Sequence, residues 1–224
     1  MKQHYFKTIG YELPYSNLKS ITTDLGRVYE TPKGKLISVT TCLSILSEEA
    51  IKQWRQNVGE AEANRVSRLA SDRGSAVHQL LEDFVHGKEI HQEKSMPPVS
   101  SLFNKVSDVL VEHVDNVRGQ EIPLYSEFLG LAGRVDLIAE WDGELAIIDY
   151  KTSSKPKIAE WCHSYFMQET AYAIMWEELT GEPIRKLVTI IGVDGGDTQI
   201  FIEDRNTWAK PLMETIERYV NEKL

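Results

Sequence analysis

The chain has 224 residues, 42% of them hydrophobic and 26% charged, with a formal net charge of −9. That length and balance fit one domain with a modest extension and enough apolar material for a core without staples. Two isolated cysteines, Cys42 and Cys162, exclude a thiolate metal cluster or a disulfide framework, and no apolar run reaches the length of a membrane span. The acidic balance speaks against non-specific coating of nucleic acid while leaving room for a local basic groove.

The opening MKQHYFKTIGYELPYS lacks the apolar centre of a secretory signal. A reducing cytoplasm is the expected location, the host's if a phage encodes the chain. Residues 1–37 read as an N-terminal extension of short strands, with a hairpin loop at Thr31-Pro32-Lys33-Gly34-Lys35. Residues 38–224 read as a single domain that begins with a helical block over about 40–118. Within it a helical region runs from 40 to 86, broken near Gly59 and again before Gly74. Its last part sets Val77, Leu80, Leu81 and Phe84 on one face and stops at Gly87. A loop over 88–100 around Pro97-Pro98 separates it from a helix over about 100–117.

A sheet follows over about 121–203. Strands are expected at 121–128, 132–141 and 144–151, then a long helix at 158–180 stopped by Gly181 and Pro183. Two further strands, 186–193 and 198–203, flank Asp194-Gly195-Gly196-Asp197, and a last helix over about 206–222 is capped by Asp204 or Asn206.

The informative stretch runs from Gly133 to Lys151. Asp142-Gly143 between two apolar runs signals a two-residue type I′ turn. Such a turn fixes the register: opposed residue numbers sum to a constant, so Asp136 faces Asp149 and Arg134 faces Lys151. Like charges directly opposed destabilise a ladder. A divalent cation held by both carboxylates would neutralise them, as would a proton kept by one. Lys151 shares a face with Asp149, and Tyr150 points the other way. A solvated charged face is the plain alternative, but the run Ile147-Ile148 implies that both faces are covered, and buried charges are rarely idle.

Gly133-Arg134-Val135-Asp136 followed by Ile148-Asp149-Tyr150-Lys151-Thr152 resembles the signature of the PD-(D/E)XK nuclease superfamily in its RecB-like form. Gly74-Ser75-Ala76-Val77-His78 and Gln168-Glu169-Thr170-Ala171-Tyr172 resemble the helical motifs of that subgroup. Ser38-Val39-Thr40, Leu131-Ala132 before Gly133, and the run to Lys157 look most like the mitochondrial genome maintenance exonuclease family and its phage relatives. The resemblance covers about 38–175 and implies an α/β fold of the restriction-endonuclease type, a small mixed sheet flanked by helices.

By that resemblance His78, Asp136, Asp149 and the carbonyl of Tyr150 hold Mg²⁺ or Mn²⁺, and Asp136, Asp149, Lys151 and His78 form the catalytic set. Glu127 is an additional acidic candidate on the strand before Asp136. Glu82, one turn beyond His78, is a candidate acceptor for its imidazole. Gln168 and Tyr172 share a helix face and either touch DNA or pack internally. Ser153, Lys155 and Lys157 sit in the basic run after the catalytic strand, the local candidate for phosphate contact. Tyr5, Phe6, Tyr11 and Tyr15 could stack on unpaired bases or serve the core.

The implied activity is metal-dependent hydrolysis of single-stranded DNA ends or flaps in replication, repair or recombination. The rivals are a structure-specific endonuclease and an inactive DNA-end-binding subunit. With no helicase P-loop in the sequence, unwinding would come from a helicase, recombinase or polymerase partner.

Overall fold

The protein is described from a computed structural model, which covers residues 2–224. Eight strands form one sheet: β1 (Lys19–Thr23), β2 (Gly26–Thr31), β3 (Gly34–Ser38), β4 (Val114–Ser126), β5 (Leu131–Trp141), β6 (Glu144–Ser153), β7 (Lys186–Val193) and β8 (Gln199–Asp204). Six helices accompany them: α1 (Val39–Leu43), α2 (Glu48–Val58), α3 (Glu60–Val85), α4 (Pro97–His113), α5 (His163–Thr180) and α6 (Arg205–Lys223). The short N-terminal strands run edge to edge into the main sheet, because β3 pairs in parallel with the start of β5.

The β5–β6 hairpin turns at Asp142 and Gly143, whose φ angles of 51° and 80° are those of a type I′ turn. Trp141 pairs with Glu144 and the ladder runs to Leu137 opposite Ile148. Ile148 packs with Val77, Leu81 and the α4 side chains on one face, and Ile147 with Met167 and Trp176 of α5 on the other. α5 is buried on all sides, from Phe166 to Trp176. Ser38 caps α1 by accepting from Thr41 N, and Asp204 caps α6 by accepting from Asn206 N.

Four local expectations fail. α3 runs unbroken through Gly74, since a glycine in a helix interior costs only about 1 kcal/mol and the following turns pack Val77, Leu81 and Phe84 into the core. Pro97 and Pro98 open α4 instead of lying in a loop, the one place where a helix tolerates a missing N–H. Residues 114–120 are strand, not helix. Val114 and Asp115 pair with Trp141 and Glu140, and after a bulge Gly119 pairs with Ile138, so partnering an otherwise open strand edge overrides the local helical pattern. α5 also starts later than expected, at His163, behind a single 3-10 turn at Ala159–Trp161.

The chain changes face between α1 and α3. Val39, Cys42 and Ile45 pack on the α5–α6 side, whereas Val77, Leu81 and Phe84 pack on the α4 side. Residues 46–73 carry the chain across, and in this span Ala63 is the one buried residue.

Candidate active site

The site lies where the sheet forks. One edge of β5 is covered by β4 along its length. Its other edge is shared by β3, which pairs only with Leu131 and Ala132, and by β6, which pairs only from Leu137 onward. Gly133 to Asp136 have no strand on that edge. β6 leaves β5 at this point and continues against β7, with Asp149 beside Thr189 and Lys151 beside Ile191. Asp136 and Asp149 therefore do not form the opposed ladder pair that the hairpin register implied. Asp136 Oδ2 instead accepts the Tyr150 N–H at 2.9 Å. Parting the strands keeps both carboxylates near one another without placing them side by side. Arg134 is likewise not across from Lys151: its guanidinium bonds the carbonyl of Glu121 and, at 2.8 Å, Asn17 Oδ1.

His78 reaches the fork from α3. Its Nε2 is 2.9 Å from the Tyr150 carbonyl and its Nδ1 3.6 Å from Asp136 Oδ2. A third group completes this cluster: ligand atoms of His78, Glu121 and Asp136 all lie within 4.8 Å of one another. Gln120 pairs with Leu137 and Ile122 with Val135, which sets Glu121 across from Asp136. Glu121 has a φ of 51°, a left-handed conformation that costs a non-glycine residue roughly 1–3 kcal/mol and clusters at functional sites. Burial and the nearby Asp136 charge push its carboxyl up to about 7. Two carboxylates and one imidazole suit a hard divalent cation, whose charge would remove the repulsion that raises Glu121.

Asp149 stands apart from that triad. It is 1% exposed, its Oδ2 pairs with the Lys151 ammonium, and its Oδ1 accepts from Gln168 Nε2 at 3.1 Å. Burial pushes Asp149 up to about 6, with Lys151 pulling down and Asp136 adding to the rise. Burial alone would lower Lys151, but Asp149 and Asp136 reverse this and raise it, so it stays an ammonium. Gln168 Oε1 lies 3.5 Å from Lys151 Nζ, and Gln168 Nε2 is 3.4 Å from the Tyr172 hydroxyl. Gln168 and Tyr172 thus support the site from within the protein, and Tyr172 is buried.

Two expected acids have other places. Glu127 is exposed and pairs with Lys33 at 2.9 Å, beyond the end of β4. The acid of the preceding strand that reaches Asp136 is Glu121. Its position was readable only from the β4–β5 register, which places Ser126 opposite Leu131. Glu82 lines the same cavity as His78, but the imidazole nitrogens face Tyr150 and Asp136, and Glu82 receives the Gln79 amide. Among the aromatics, Phe6 is core and Tyr11 packs edge-on to Trp176. Tyr15 donates to the Pro123 carbonyl, and Tyr5 is exposed. In the basic run, Ser153 Oγ bonds the Lys155 carbonyl, Lys155 is exposed, and Lys157 lies 5.5 Å over the Tyr165 ring, which Lys151 also caps at 5.1 Å.

A buried acid behind the site had no sequence signal. Glu169 is fully buried against the Thr189 hydroxyl, and burial with the Asp149 charge holds it well above the carboxylate range.

The open cavity of about 570 Å³ includes Ser38, Gly74, His78, Glu121, Asp136 and Gln168 in its lining. The forked mixed sheet thus gathers two strand acids, an imidazole and the Asp149–Lys151 pair at one open cavity. Residues 100–223 match the family profile of the PD-(D/E)XK nuclease superfamily, and the chain belongs to that superfamily, whose members use divalent metals. Among curated proteins it is similar to mitochondrial genome maintenance exonuclease 1 of Homo sapiens, 28% identical over 48% of this chain and 32% of that protein. The Xenopus tropicalis protein of the same name is 30% identical over 55% of this chain and 38% of that one. The chain thus matches only 32–38% of these relatives' length. A solved structure of a protein assigned as an exonuclease in Eubacterium rectale superposes with a TM-score of 0.45 at 11% identity, over 68% of this chain and 69% of that one.

Proposed function

We propose that the protein is a metal-dependent deoxyribonuclease that shortens single-stranded DNA from a free end. The observation that carries this reading is the convergence of His78, Glu121 and Asp136 within 4.8 Å, beside the Asp149–Lys151 pair. Asp136, Glu121 and His78 would hold Mg²⁺ or Mn²⁺, with Asp149 and the Tyr150 carbonyl as the remaining oxygen donors. The bound cation supplies Lewis acidity toward the phosphate and lowers the pKa of its water. Lys151 orients the attacking water or meets the charge that builds on the phosphoryl oxygens. Gln168 fixes the rotamer of Asp149 and is a positioning residue. Ser153, Lys155 and Lys157 meet the phosphates of the strand as it leaves.

The requirement for a free end rests on the crossing segment. It leaves one rim of the cavity at Ser38–Thr40 and returns at Gly74–His78, having passed from one face of the sheet to the other. A chain that crosses so can arch over the fork, and a single strand is narrow enough to be threaded beneath such an arch. The arch pairs its own charges: Arg55 with Glu60, Arg65 with Glu62 and Arg68 with Asp72. It therefore offers no broad basic face for gripping duplex from the side. The names of the similar proteins support the exonuclease reading. Replication, repair or recombination is the setting it suits, and a helicase, recombinase or polymerase partner would supply the single strand.

The test is digestion of linear and closed circular forms of one single-stranded DNA in Mg²⁺. Degradation of the linear form with the circle resistant is expected. Equal rates would make the enzyme an endonuclease, and no cleavage of either would defeat the nuclease reading.

A further inference from the structure

A second groove, of about 470 Å³, continues the active-site cavity on its Lys151 side. The two share Thr40 and Gln168 in their linings, so a strand lying on the metal cluster can pass from one to the other without leaving the surface. Gln168 is the residue that holds Asp149 and faces Lys151, which puts the entrance of the groove at the reacting centre. Tyr165 lines it next, with the Lys151 and Lys157 ammoniums over its ring.

The groove then runs between two unlike walls. One is Trp161, which is 64% exposed at the end of the 3-10 turn before α5. The other carries Leu43 and Leu46 with the hydroxyls of Thr40, Ser44 and Ser47. An indole so exposed gains nothing from the core, and among the described residues few large apolar side chains are more open. Its neighbours are hydroxyls, apolar side chains, His163 and the single acid Glu160, with the two ammoniums reaching Tyr165 from beyond the lining, rather than an apolar field of the kind that binds protein. That mixture fits a nucleotide: a flat base for the indole, hydroxyl donors for sugar and phosphate oxygens, and ammoniums at the phosphate end. The volume falls within the roughly 300–1,000 Å³ of small-ligand sites.

We propose that this groove is a nucleobase subsite, in which Trp161 stacks the base of the nucleotide flanking the scissile phosphate on its Lys151 side. The assignment rests on the DNA-hydrolase reading above and adds a determinant of single-strand preference. A base can lie flat on the indole only when it is unpaired.

Binding of a fluorescein-labelled oligothymidylate, with Ca²⁺ replacing Mg²⁺ to suppress turnover, tests the subsite. Wild type, Trp161→Ala and Trp161→Phe are compared on intact oligonucleotide and on oligonucleotides with one abasic residue moved along the strand. Base–aromatic stacking is worth about 1–3 kcal/mol, so Trp161→Ala should weaken binding by about fivefold or more, and Trp161→Phe should recover most of the loss. One abasic position should cost wild type a similar factor and cost Trp161→Ala nothing. Equal affinities for wild type and Trp161→Ala would overturn the subsite, as would a loss in Trp161→Ala that adds in full to that of every abasic position. Cleavage in Mg²⁺ by the same wild-type preparation keeps the two readings apart. A wild type that binds through Trp161 but never cleaves retains the subsite and loses the nuclease. One that cleaves with Trp161→Ala unchanged retains the nuclease and loses the subsite.

Discussion

The acids at the fork carry charge that the folded chain does not fully offset. Asp149 is pushed up to about 6 and Glu121 up to about 7, in each case chiefly by burial. A carboxyl raised in the folded state binds more protons folded than unfolded between its ordinary value near 4 and its raised one. The metal-free protein is therefore most stable at the acid end of that window and loses stability as pH rises from about 4 to about 7. Asp149 contributes on the order of 3 kcal/mol to this loss. Thermal melting in EDTA across the window should show the fall, and saturating Mg²⁺ should restore stability most at the high-pH end. A melting temperature that rises over the same window without metal would contradict these shifts. The two strand acids should also separate cleanly. Glu121→Gln removes a group within reach of His78 and Asp136 and should weaken metal binding by roughly 10–100-fold, as losing a neighbour of a metal site does. Glu127→Gln breaks only an exposed, solvent-screened pair with Lys33 and should leave calorimetric metal titrations unchanged.

At the scale of elements, Gly133 shows how tightly the fork is packed against α5. A Cβ there would lie 2.6 Å from Tyr172 Cε1 and 3.0 Å from its hydroxyl. Gly133→Ala must move the ring that stands beside Gln168, and overpacking of this kind costs about 1–3 kcal/mol. Urea denaturation should register that loss, and adding Tyr172→Leu should recover part of it. Additive losses would place the strain elsewhere. The hairpin was legible in the sequence because Asp142-Gly143 and the flanking alternation fix register and facing together. α5 was legible from its length and its stop at Gly181. The fork was not, because nothing local reveals that β6 abandons β5 at Leu137 for β7. Glu121 was hidden for the same reason, since its place opposite Asp136 depends on pairing with β4 over a loop of uncertain length. Glu127 looked equivalent on residue type alone. The strand at 114–120 was hidden by a helical pattern that an open sheet edge outweighs.

Across the whole molecule, the N-terminal strands, the start of α1, the second half of α3 and the central sheet converge on one cavity. β3 delivers Ser38 to its rim, and α3 brings His78 down onto Tyr150. No helix among the described residues is long and apolar enough to cross a membrane. On the proposed reading, hydrolysis of DNA proceeds at the fork through a divalent cation. End-labelled single-stranded DNA, incubated with wild type and with Asp149→Asn, each with Mg²⁺ and with EDTA, tests it most directly. The substitution preserves shape and removes the carboxylate. A metal contributes several kcal/mol to such a reaction and each 1.36 kcal/mol is tenfold in rate. Wild type in Mg²⁺ should therefore outpace wild type in EDTA and Asp149→Asn in Mg²⁺ by about three orders of magnitude or more, with Asp149→Asn still melting cooperatively. Comparable Mg²⁺-dependent turnover by wild type and Asp149→Asn would contradict the account.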